Sequence, residues 1–183
     1  MTEHEKMLAG ELYHASDPEL RAMHIRAQDL TEELNATPFR DQTRRKAIIQ
    51  KLLGSCGEHV DIKSDFHCDY GCNIHVGDGF FANYGCTMLD VCEIHIGKNC
   101  LIAPQVGIYT AAHPLDAEIR TNGLEFGKPI TIGDNCWIGG HATILPGITL
   151  GDNVVVAAGA VVTKSFGSNV VIGGNPARII KNI

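Results

Sequence analysis

One segment of the chain, residues 109–129, carries side chains that suit proton-transfer chemistry. His113 is a candidate general base, because imidazole titrates near neutral pH and accepts a proton from a hydroxyl group. Glu125 follows twelve residues later, and a hairpin-like loop would bring its carboxylate to the other ring nitrogen of His113. A carboxylate there would fix the imidazole tautomer and stabilise the imidazolium ion. From spacing alone, this pairing is a hypothesis.

Three other histidines, His67, His75 and His95, suggest a competing metal chemistry. His75 and His95 each directly precede an aliphatic residue and are 20 residues apart, so they are expected to stack on one outer face. A zinc site needs at least three side-chain ligands, and no third ligand has a position consistent with the sequence repeat. We therefore interpret the pair as surface histidines in equivalent positions, and we expect no bound metal.

The cysteines do not form a recognisable metal or redox motif. Their number is odd, and no two of them make a C-x-x-C pair. They are expected to be reduced, mostly buried thiols that pack as small apolar residues. The seven are Cys56, Cys68, Cys72, Cys86, Cys92, Cys100 and Cys136.

The second part of the chain is built on a six-residue repeat that opens with a large aliphatic residue. A period of six fits neither an amphipathic helix nor simple alternation. It fits short strands joined by tight turns, where Gly, Asn or Asp accommodates a positive φ at the corner. Three such strands make a triangular coil, so the sequence predicts a parallel β-helix. The repeat positions include Ile96, Ile102, Ile108, Ile132, Ile138, Ile144, Leu150 and Val156, and the frame breaks only at residues 109–129.

The first part of the chain has a different composition. Residues 1–55 hold 17 of the 36 charged residues but only two of the 20 glycines, which favours helices. Glu3–Ala9 is a short candidate helix, Asp17 and Pro18 start a second, and Asp41 caps a third with Ala47, Ile48, Leu52 and Leu53 facing inward. We therefore predict a helical cap over residues 1–55 and a β-helix over 56–183, with an inserted loop at about 109–129.

Charge and hydropathy exclude several classes of partner. The net charge of −6 leaves no basic face for nucleic acid. The longest apolar stretch, Val154–Val162, is too short to span a membrane, and the polar N-terminus lacks the apolar core of a signal peptide. A cytoplasmic protein is expected.

Seven segments, spread over essentially the whole chain, carry a resemblance to a known family. They are Met7–Tyr13, Cys68–Ile74, Phe80–Asn83, Met88–Cys92, Tyr109–Pro114, Asn135–Gly140 and Gly173–Ile180. Together they resemble the maltose O-acetyltransferases, hexapeptide-repeat enzymes related to the galactoside and nodulation-factor acetyltransferases. The resemblance implies a mainly β fold, a left-handed parallel β-helix with a short N-terminal helical cap, and a homotrimer with active sites between subunits.

The same resemblance implies the reaction and the roles of individual residues. Acetyl-CoA would donate its acetyl group directly to a hydroxyl of a sugar such as maltose, glucose or a galactoside. His113 matches the catalytic base, and Glu125 lies where some relatives place the group that orients it, whereas others use a backbone carbonyl. The residues implied for sugar binding are Asp17, Asp69, Asn83, Asp90 and Trp137, and those for coenzyme binding are Gly140, Ala158, Thr163, Lys164, Arg178 and Lys181.

Some of these positions have a purely structural alternative, and two depart from the family pattern. Asp17 is equally suited to capping a helix, and Asn83 to a repeat corner. Relatives often carry a serine at the position of Gly140, so a backbone N–H would have to stabilise the oxyanion here. Ser165, Phe166 and Gly167 replace an acid and a proline, which predicts a looser turn.

Three other functions remain open from the sequence. A hexapeptide acetyltransferase acting on a non-sugar acceptor such as an antibiotic would share the fold. A metal-dependent hydratase would use the outer histidines, and a non-catalytic solenoid would use neither set of residues.

Overall fold

A helical cap forms the N-terminal part of the molecule. The computed structural model describes all 183 residues. Its helices are α1 (Glu3–Ala9), α2 (Pro18–Ala36), α3 (Gln42–Leu52) and, within the insert, α4 (Ala117–Thr121). Gly10 ends α1 with a φ of 74°, and the Asp17 and Asp41 side chains cap the starts of α2 and α3. The predicted helix starts at Asp17 and Asp41 are therefore confirmed.

Three of the four residues predicted to face inward from the third helix, Ile48, Leu52 and Leu53, are buried. The prediction for Ala47 is wrong, because Ala47 is exposed and Arg45 and Ile49 are buried instead. The Arg45 guanidinium instead donates to the carbonyls of Leu34, Thr37 and Ile62, which joins the end of α2 to the first coil of the solenoid.

Three parallel sheets form the walls of a triangular solenoid. Sheet 1 contains β2 (Ser55–Cys56), β5 (Ile74–Val76), β8 (Ile94–Ile96), β13 (Ile130–Ile132) and β16 (Thr149–Leu150). Sheet 2 contains β3 (Asp61–Ile62), β6 (Phe81–Ala82), β9 (Leu101–Ile102), β14 (Trp137–Ile138), β17 (Val154–Val156), β19 (Val170–Gly173) and the antiparallel β20 (Arg178–Asn182). Sheet 3 contains β4 (His67–Cys68), β7 (Thr87–Leu89), β10 (Gly107–Tyr109), β15 (Thr143–Ile144) and β18 (Val161–Val162).

The six-residue repeat sets the positions that fill the interior. Ile96, Ile102 and Ile108 are consecutive repeat positions, one on each sheet, and each is almost fully buried. Burial of aliphatic side chains supplies most of the stability of such a coil, about 1.5–3 kcal/mol for each large residue. The parallel β-helix predicted from the repeat is thus confirmed.

Tight turns join the sheets along three edges. We call the turns from sheet 2 to sheet 3 the 2–3 edge, and the turns from sheet 3 to the next strand of sheet 1 the 3–1 edge. On the remaining edge, Asn99 and Asn135 adopt positive φ angles of 55° and 58°, and the Asn99 side chain donates to that of Asn135 at 3.2 Å. Asparagine tolerates this left-handed conformation, as the repeat predicts.

The turn after β18 is ordered, contrary to the looser turn expected there. Phe166 is buried and forms an isolated bridge with Leu150. The Ser165 hydroxyl accepts a hydrogen bond from the backbone N–H of Thr149 at 2.9 Å. An aromatic side chain therefore closes the core where an acid and a proline were expected.

The insert on the 3–1 edge folds back against the cap. It contributes β11 (Ala111–Ala112), α4 and β12 (Leu124–Gly127), and β12 pairs on its other side with β1 (Tyr13–His14) of the cap. A small buried cluster of Met7, Tyr13, Leu20, Tyr70 and Val91 fastens the cap to the solenoid below the insert. No helix is long and apolar enough to cross a membrane.

Candidate active site

The three-stranded sheet of β1, β12 and β11 positions His113 and Glu125. Ala112, the last residue of β11, pairs with Phe126 of β12 in the antiparallel ladder. His113 directly follows β11, and Glu125 directly precedes Phe126 on β12. His113 is exposed and Glu125 is half-buried. The hairpin inferred from the spacing thus brings the end of β11, where His113 follows, beside the strand that carries Glu125.

Tyr13 lies on the other side of Glu125 and was missed by the sequence analysis. Tyr13 pairs with Glu125 in register, and its hydroxyl donates to Oε2 of Glu125 at 3.2 Å. Burial is the main cause that raises the pKa of Tyr13, and the charge of Glu125 raises it further. The phenol therefore stays protonated and holds the Glu125 carboxylate in place.

A cavity of about 270 Å³ opens between the cap and the insert. It brings together two of the predicted residues, Asp69 and Glu125, beside the rings of Tyr13 and Tyr70. Two more polar side chains, Arg21 and His24 of α2, also line it and had no sequence signal beyond their place on a helix. The remaining lining residues are Ala15, Val91 and Ala111.

Asp69 is a partly buried carboxyl group in this cavity. Burial raises its pKa, the nearby His24 lowers it, and Glu125 raises it again. His24 also contacts the chain directly, because its Nδ1 lies 2.8 Å from the carbonyl oxygen of Asp69. The carboxylate gives the cavity a hydrogen-bonding surface, and the tyrosine rings behind it are buried.

Asp90 does not line the cavity, and its predicted role in contacting sugar is wrong. The side chain is fully buried, and its carboxylate accepts hydrogen bonds from the backbone N–H groups of Asp69, Tyr70 and Asn73 at 3.0, 2.9 and 3.3 Å. Burial raises its pKa to about 7. Asp90 therefore holds the turn that carries Asp69, and it has no surface left for a ligand.

Asp17 caps α2, as the structural alternative proposed. One oxygen, Oδ1, accepts from the backbone N–H groups of Glu19 and Leu20 at 2.9 and 3.4 Å. The side chain is half-buried, and its second oxygen makes no hydrogen bond within the chain. The cap therefore leaves one carboxylate oxygen available to a ligand.

Several predicted residues lie on a different edge from His113. Asn83, Gly140 and Ala158 are all in turns of the 2–3 edge, and Trp137 is on the neighbouring outer face of sheet 2 with 53% of its surface exposed. The Asn83 side-chain oxygen accepts from the backbone N–H of Tyr84 at 2.9 Å, which is the corner role weighed above. Within one chain, these residues do not join the cavity that contains Asp69.

The cations predicted for the coenzyme are exposed on the last coils. Thr163 and Lys164 follow β18 on the 3–1 edge, with the Lys164 ammonium 5.5 Å from the centre of the Phe166 ring. Arg178 and Lys181 are on β20, which extends sheet 2. Nη1 of Arg178 donates to the carbonyls of Ala177 and Pro176 at 2.9 and 3.4 Å, which leaves Nε and Nη2 without an acceptor in the chain.

The histidines considered for a metal site lie on two different sheets. His67 is on sheet 3, whereas His75 and His95 are in register on adjacent strands of sheet 1. The triad of His67, His75 and His95 is therefore wrong. The stacking of His75 on His95 is confirmed, with ring centres 4.7 Å apart.

Family models match both parts of the chain. The maltose acetyltransferase hexapeptide capping motif matches residues 6–57, and the hexapeptide repeat of succinyl-transferase matches residues 129–164. A putative acetyltransferase of Dictyostelium discoideum is 56% identical to this chain, over 100% of the chain and 95% of the relative. The chain belongs to the family of hexapeptide-repeat acetyltransferases.

Two solved structures share the whole architecture. A maltose O-acetyltransferase from Clostridium difficile 630 is 51% identical, with a TM-score of 0.99 and coverage of 100% of this chain and 98% of that one. A galactoside acetyltransferase solved in complex with coenzyme A is 38% identical, with a TM-score of 0.96 and coverage of 100% and 92%. Both agree with the resemblance found in the sequence.

Proposed function

We propose that this protein transfers an acetyl group from acetyl-CoA directly to a sugar hydroxyl, with His113 as the general base. The observation that carries the proposal is the exposed His113 directly after β11, whose partner strand β12 carries Glu125 of the polar cavity of about 270 Å³. The family membership supports acetyl transfer, and the coenzyme A complex of the galactoside acetyltransferase supports coenzyme A as the carrier.

The lining of the cavity supports a sugar as the acceptor. Carboxylates such as Asp69 can accept two hydroxyl hydrogen bonds at once, and the Arg21 and His24 side chains can donate to sugar oxygens at the same cavity. The free oxygen of Asp17 adds a further acceptor on the cap side. Relatives named as maltose and galactoside acetyltransferases, and the capping motif at residues 6–57, support the same acceptor class.

The proposed reaction proceeds in one transfer without an acetyl-enzyme. His113 removes the proton of the sugar hydroxyl as the oxygen attacks the thioester carbonyl, and Glu125 stabilises the resulting imidazolium. The tetrahedral intermediate then expels the coenzyme thiolate, which takes the proton from His113. The N–H of Gly140 donates to no acceptor within the chain and is our candidate for the oxyanion donor.

We also propose a homotrimer in which two edges from different subunits complete each site. His113, Asp69 and Lys164 are on the 3–1 edge, whereas Asn83 and Gly140 are on the 2–3 edge of the same prism. Sheet 3 separates the two sets, so a single chain does not bring them together. In a ring of three, the 2–3 edge of one subunit meets the 3–1 edge of the next.

An apolar ladder on the outer face of sheet 2 supports this assembly. Phe81, Leu101, Trp137, Val155 and Val171 follow one another in register across five strands. Leu101 is 50% exposed and Trp137 is 53% exposed. A continuous apolar surface of this kind is typical of a protein interface.

The coenzyme and the cellular location follow from other features. Arg178, Lys181 and Lys164 are exposed cations on the last coils, suited to the phosphates of coenzyme A, with Ala158 and Thr163 providing small contacts along the turns. All seven cysteines are free thiols, which fits the reducing cytoplasm where acetyl-CoA is available.

The test is the release of free coenzyme A thiol from acetyl-CoA in the presence of maltose, glucose, a galactoside or chloramphenicol. We expect release with a sugar, and a loss of at least about a hundredfold in His113→Ala. His59→Ala is the matched control, because His59 is exposed and pairs only with Asp78.

Release with chloramphenicol alone would overturn the sugar acceptor and favour a xenobiotic one. Equal activity of His113→Ala and His59→Ala would overturn the role of His113. Circular dichroism of each variant confirms that the fold is intact before the rates are compared.

A further inference from the structure

The outer face of sheet 1 holds a group of side chains that the acetyl-transfer reaction does not use. His75 and His95 lie in register on β5 and β8, with their rings stacked at 4.7 Å and inclined by only 12°. Glu93 is two residues before His95, and its Oε2 is 2.7 Å from Nε2 of His95. One donor atom from each of the three residues lies within 4.8 Å of the others.

Glu93 supplies the third ligand that the sequence repeat did not reveal. It lies at the turn before β8, outside the inward-facing repeat positions, so spacing between aliphatic residues gives no sign of it. Two imidazoles and a carboxylate make a donor set that suits divalent transition metals of intermediate softness, such as zinc. We propose that His75, Glu93 and His95 form a surface binding site for such a metal ion.

The neighbouring contacts orient these donors for a metal. Nδ1 of His75 lies 2.9 Å from the hydroxyl of Ser55, so a proton on Nδ1 can be held there while the lone pair of Nε2 is left free. Metal-binding histidines commonly use their second nitrogen in this way.

The short contact between Glu93 and His95 is the position that a metal would occupy. A hydrogen on Nε2 of His95 would bridge this 2.7 Å contact to Oε2 of Glu93. Metal binding replaces this proton, and the donors move to about 3.3 Å from one another, as ligand distances of about 2.1 Å require. The contact between His95 and Glu93 therefore opens slightly as the ion enters. His95 and Glu93 are exposed, and small side-chain rotations are sufficient.

The surrounding surface leaves room for the ion and its remaining ligands. A shallow depression of about 380 Å³ lies over the pair of histidines and is lined by Ser55, Thr131 and the glycines Gly77 and Gly97. Thr131 follows His95 on the same ladder and carries no charge. Water would complete the coordination, as in open metal sites.

The chain contains a matched control for this site. Asp65 and His67 repeat the arrangement of Glu93 and His95, with an acid two residues before a histidine and a contact of 3.1 Å between Oδ1 of Asp65 and Nε2 of His67. The strand partner of His67 is Thr87 rather than a second histidine. Because the proposed site needs two histidines, His67 is not expected to contribute to metal binding.

The test is a titration of zinc chloride alone into protein purified without a histidine tag and freed of metal by a chelator. Calorimetry and metal analysis after dialysis are expected to show a single saturable zinc site per chain. His75→Ala and His95→Ala should abolish it, Glu93→Gln should weaken it at least about tenfold, and His67→Ala should leave it unchanged. Zinc should also raise the melting temperature of the wild type and His67→Ala, but not of His75→Ala.

Two results would overturn the proposal. The first is the absence of saturable binding to the wild type, and the second is equal binding by the wild type and His75→Ala. Cobalt as a substitute probe adds a check on the ligands, because a thiolate charge-transfer band would mean that cysteine binds the metal instead. His75→Gln serves as a milder variant if His75→Ala fails to fold, and the same loss of binding is expected from it.

Discussion

At the scale of single residues, the candidate catalytic centre depends on a short chain of polar contacts. The hydroxyl of Tyr13 donates to Glu125 on β12, and His113 directly follows β11, the neighbouring strand. Tyr13 is 112 residues from Glu125 in sequence, whereas the hairpin of the insert joins β11 to β12. In the proposed mechanism, the charge of Glu125 stabilises the imidazolium that forms on His113.

Glu125→Gln tests that charge without changing the size of the side chain. The amide oxygen can still accept from Tyr13, so the sheet should keep its structure, but the imidazolium loses its counter-charge. We expect kcat to fall at least about tenfold with little change in KM. Steady-state kinetics with the preferred sugar measure this, and Glu118→Gln, on the exposed helix of the same insert, is the control. An unchanged kcat would mean that a backbone carbonyl orients His113.

Asp90 gives a second prediction, on the pH dependence of stability. Its pKa of about 7 in the folded protein exceeds the ordinary value of 3.8, so the folded state binds the extra proton between these values. The resulting stabilisation is fully present below about pH 4 and is lost as the pH rises through 7. Melting temperatures at pH 5 and pH 8 should therefore differ more for the wild type than for Asp90→Asn.

The asparagine variant also tests the structural role of Asp90. Its amide nitrogen cannot accept from the backbone N–H groups that Asp90 now satisfies, and we expect a loss of about 1–3 kcal/mol at pH 5. The same pH response in both proteins would contradict the assignment of this titration to Asp90.

At the scale of elements, the features that could be predicted from the sequence are those that depend on local residue patterns, namely the solenoid and the starts of the helices. The period of six led directly to the solenoid, because every aliphatic repeat position must face the interior. The capping residues Asp17 and Asp41 marked the true starts of α2 and α3. Ala47 was predicted to face inward but is exposed, and Arg45 is buried instead. The burial of Arg45 could not be predicted locally, because it depends on carbonyls supplied by α2 and the solenoid.

Contacts between distant segments could not be predicted in this way. Tyr13 and Glu125 are 112 residues apart, and only the folded insert brings β12 beside β1. The burial of Asp90 also depends on a distant segment, because the turn at Asp69–Asn73 packs over its carboxylate and donates backbone hydrogen bonds to it. The aspartate residue type suggested a ligand contact at both Asp69 and Asp90, but only three-dimensional packing distinguishes the partly buried carboxyl group that lines the cavity from the fully buried one.

The helix α2 gives a prediction that separates two roles of Asp17. Asp17→Ser keeps an acceptor for the first N–H groups of the helix but lacks the second carboxylate oxygen, whereas Asp17→Ala lacks both. We expect Asp17→Ala alone to lose about 1 kcal/mol of stability, because it removes the N-cap. Both variants should raise KM for the sugar, since the free oxygen is absent from each.

Thermal unfolding measures the stability of the two Asp17 variants, and steady-state kinetics measure their KM for the sugar. A normal KM in Asp17→Ser, with reduced stability only in Asp17→Ala, would leave Asp17 as a helix cap without a sugar contact.

At the scale of the whole molecule, the two edges of the prism pose the main question. The insert carries Leu115 with 97% of its surface exposed, and sheet 2 exposes Trp137 and Leu101. Burial of these apolar groups against another surface would be favourable. The proposed site also requires the residues of the 2–3 edge to lie beside those of the 3–1 edge. The proposed ring of three identical chains would satisfy both requirements with one interface, because each subunit would present a different edge to each neighbour.

This arrangement predicts that two inactive variants restore activity when they share a trimer. His113→Ala damages the 3–1 edge, and Asn83→Ala damages the 2–3 edge, so each homotrimer has three defective sites. In trimers that form at random from equal amounts of both, an intact 3–1 edge meets an intact 2–3 edge at about one interface in four. Mixed and refolded protein should therefore regain about one quarter of wild-type activity, measured as sugar-dependent thiol release. A site contained within a single chain would recover nothing above the two parents.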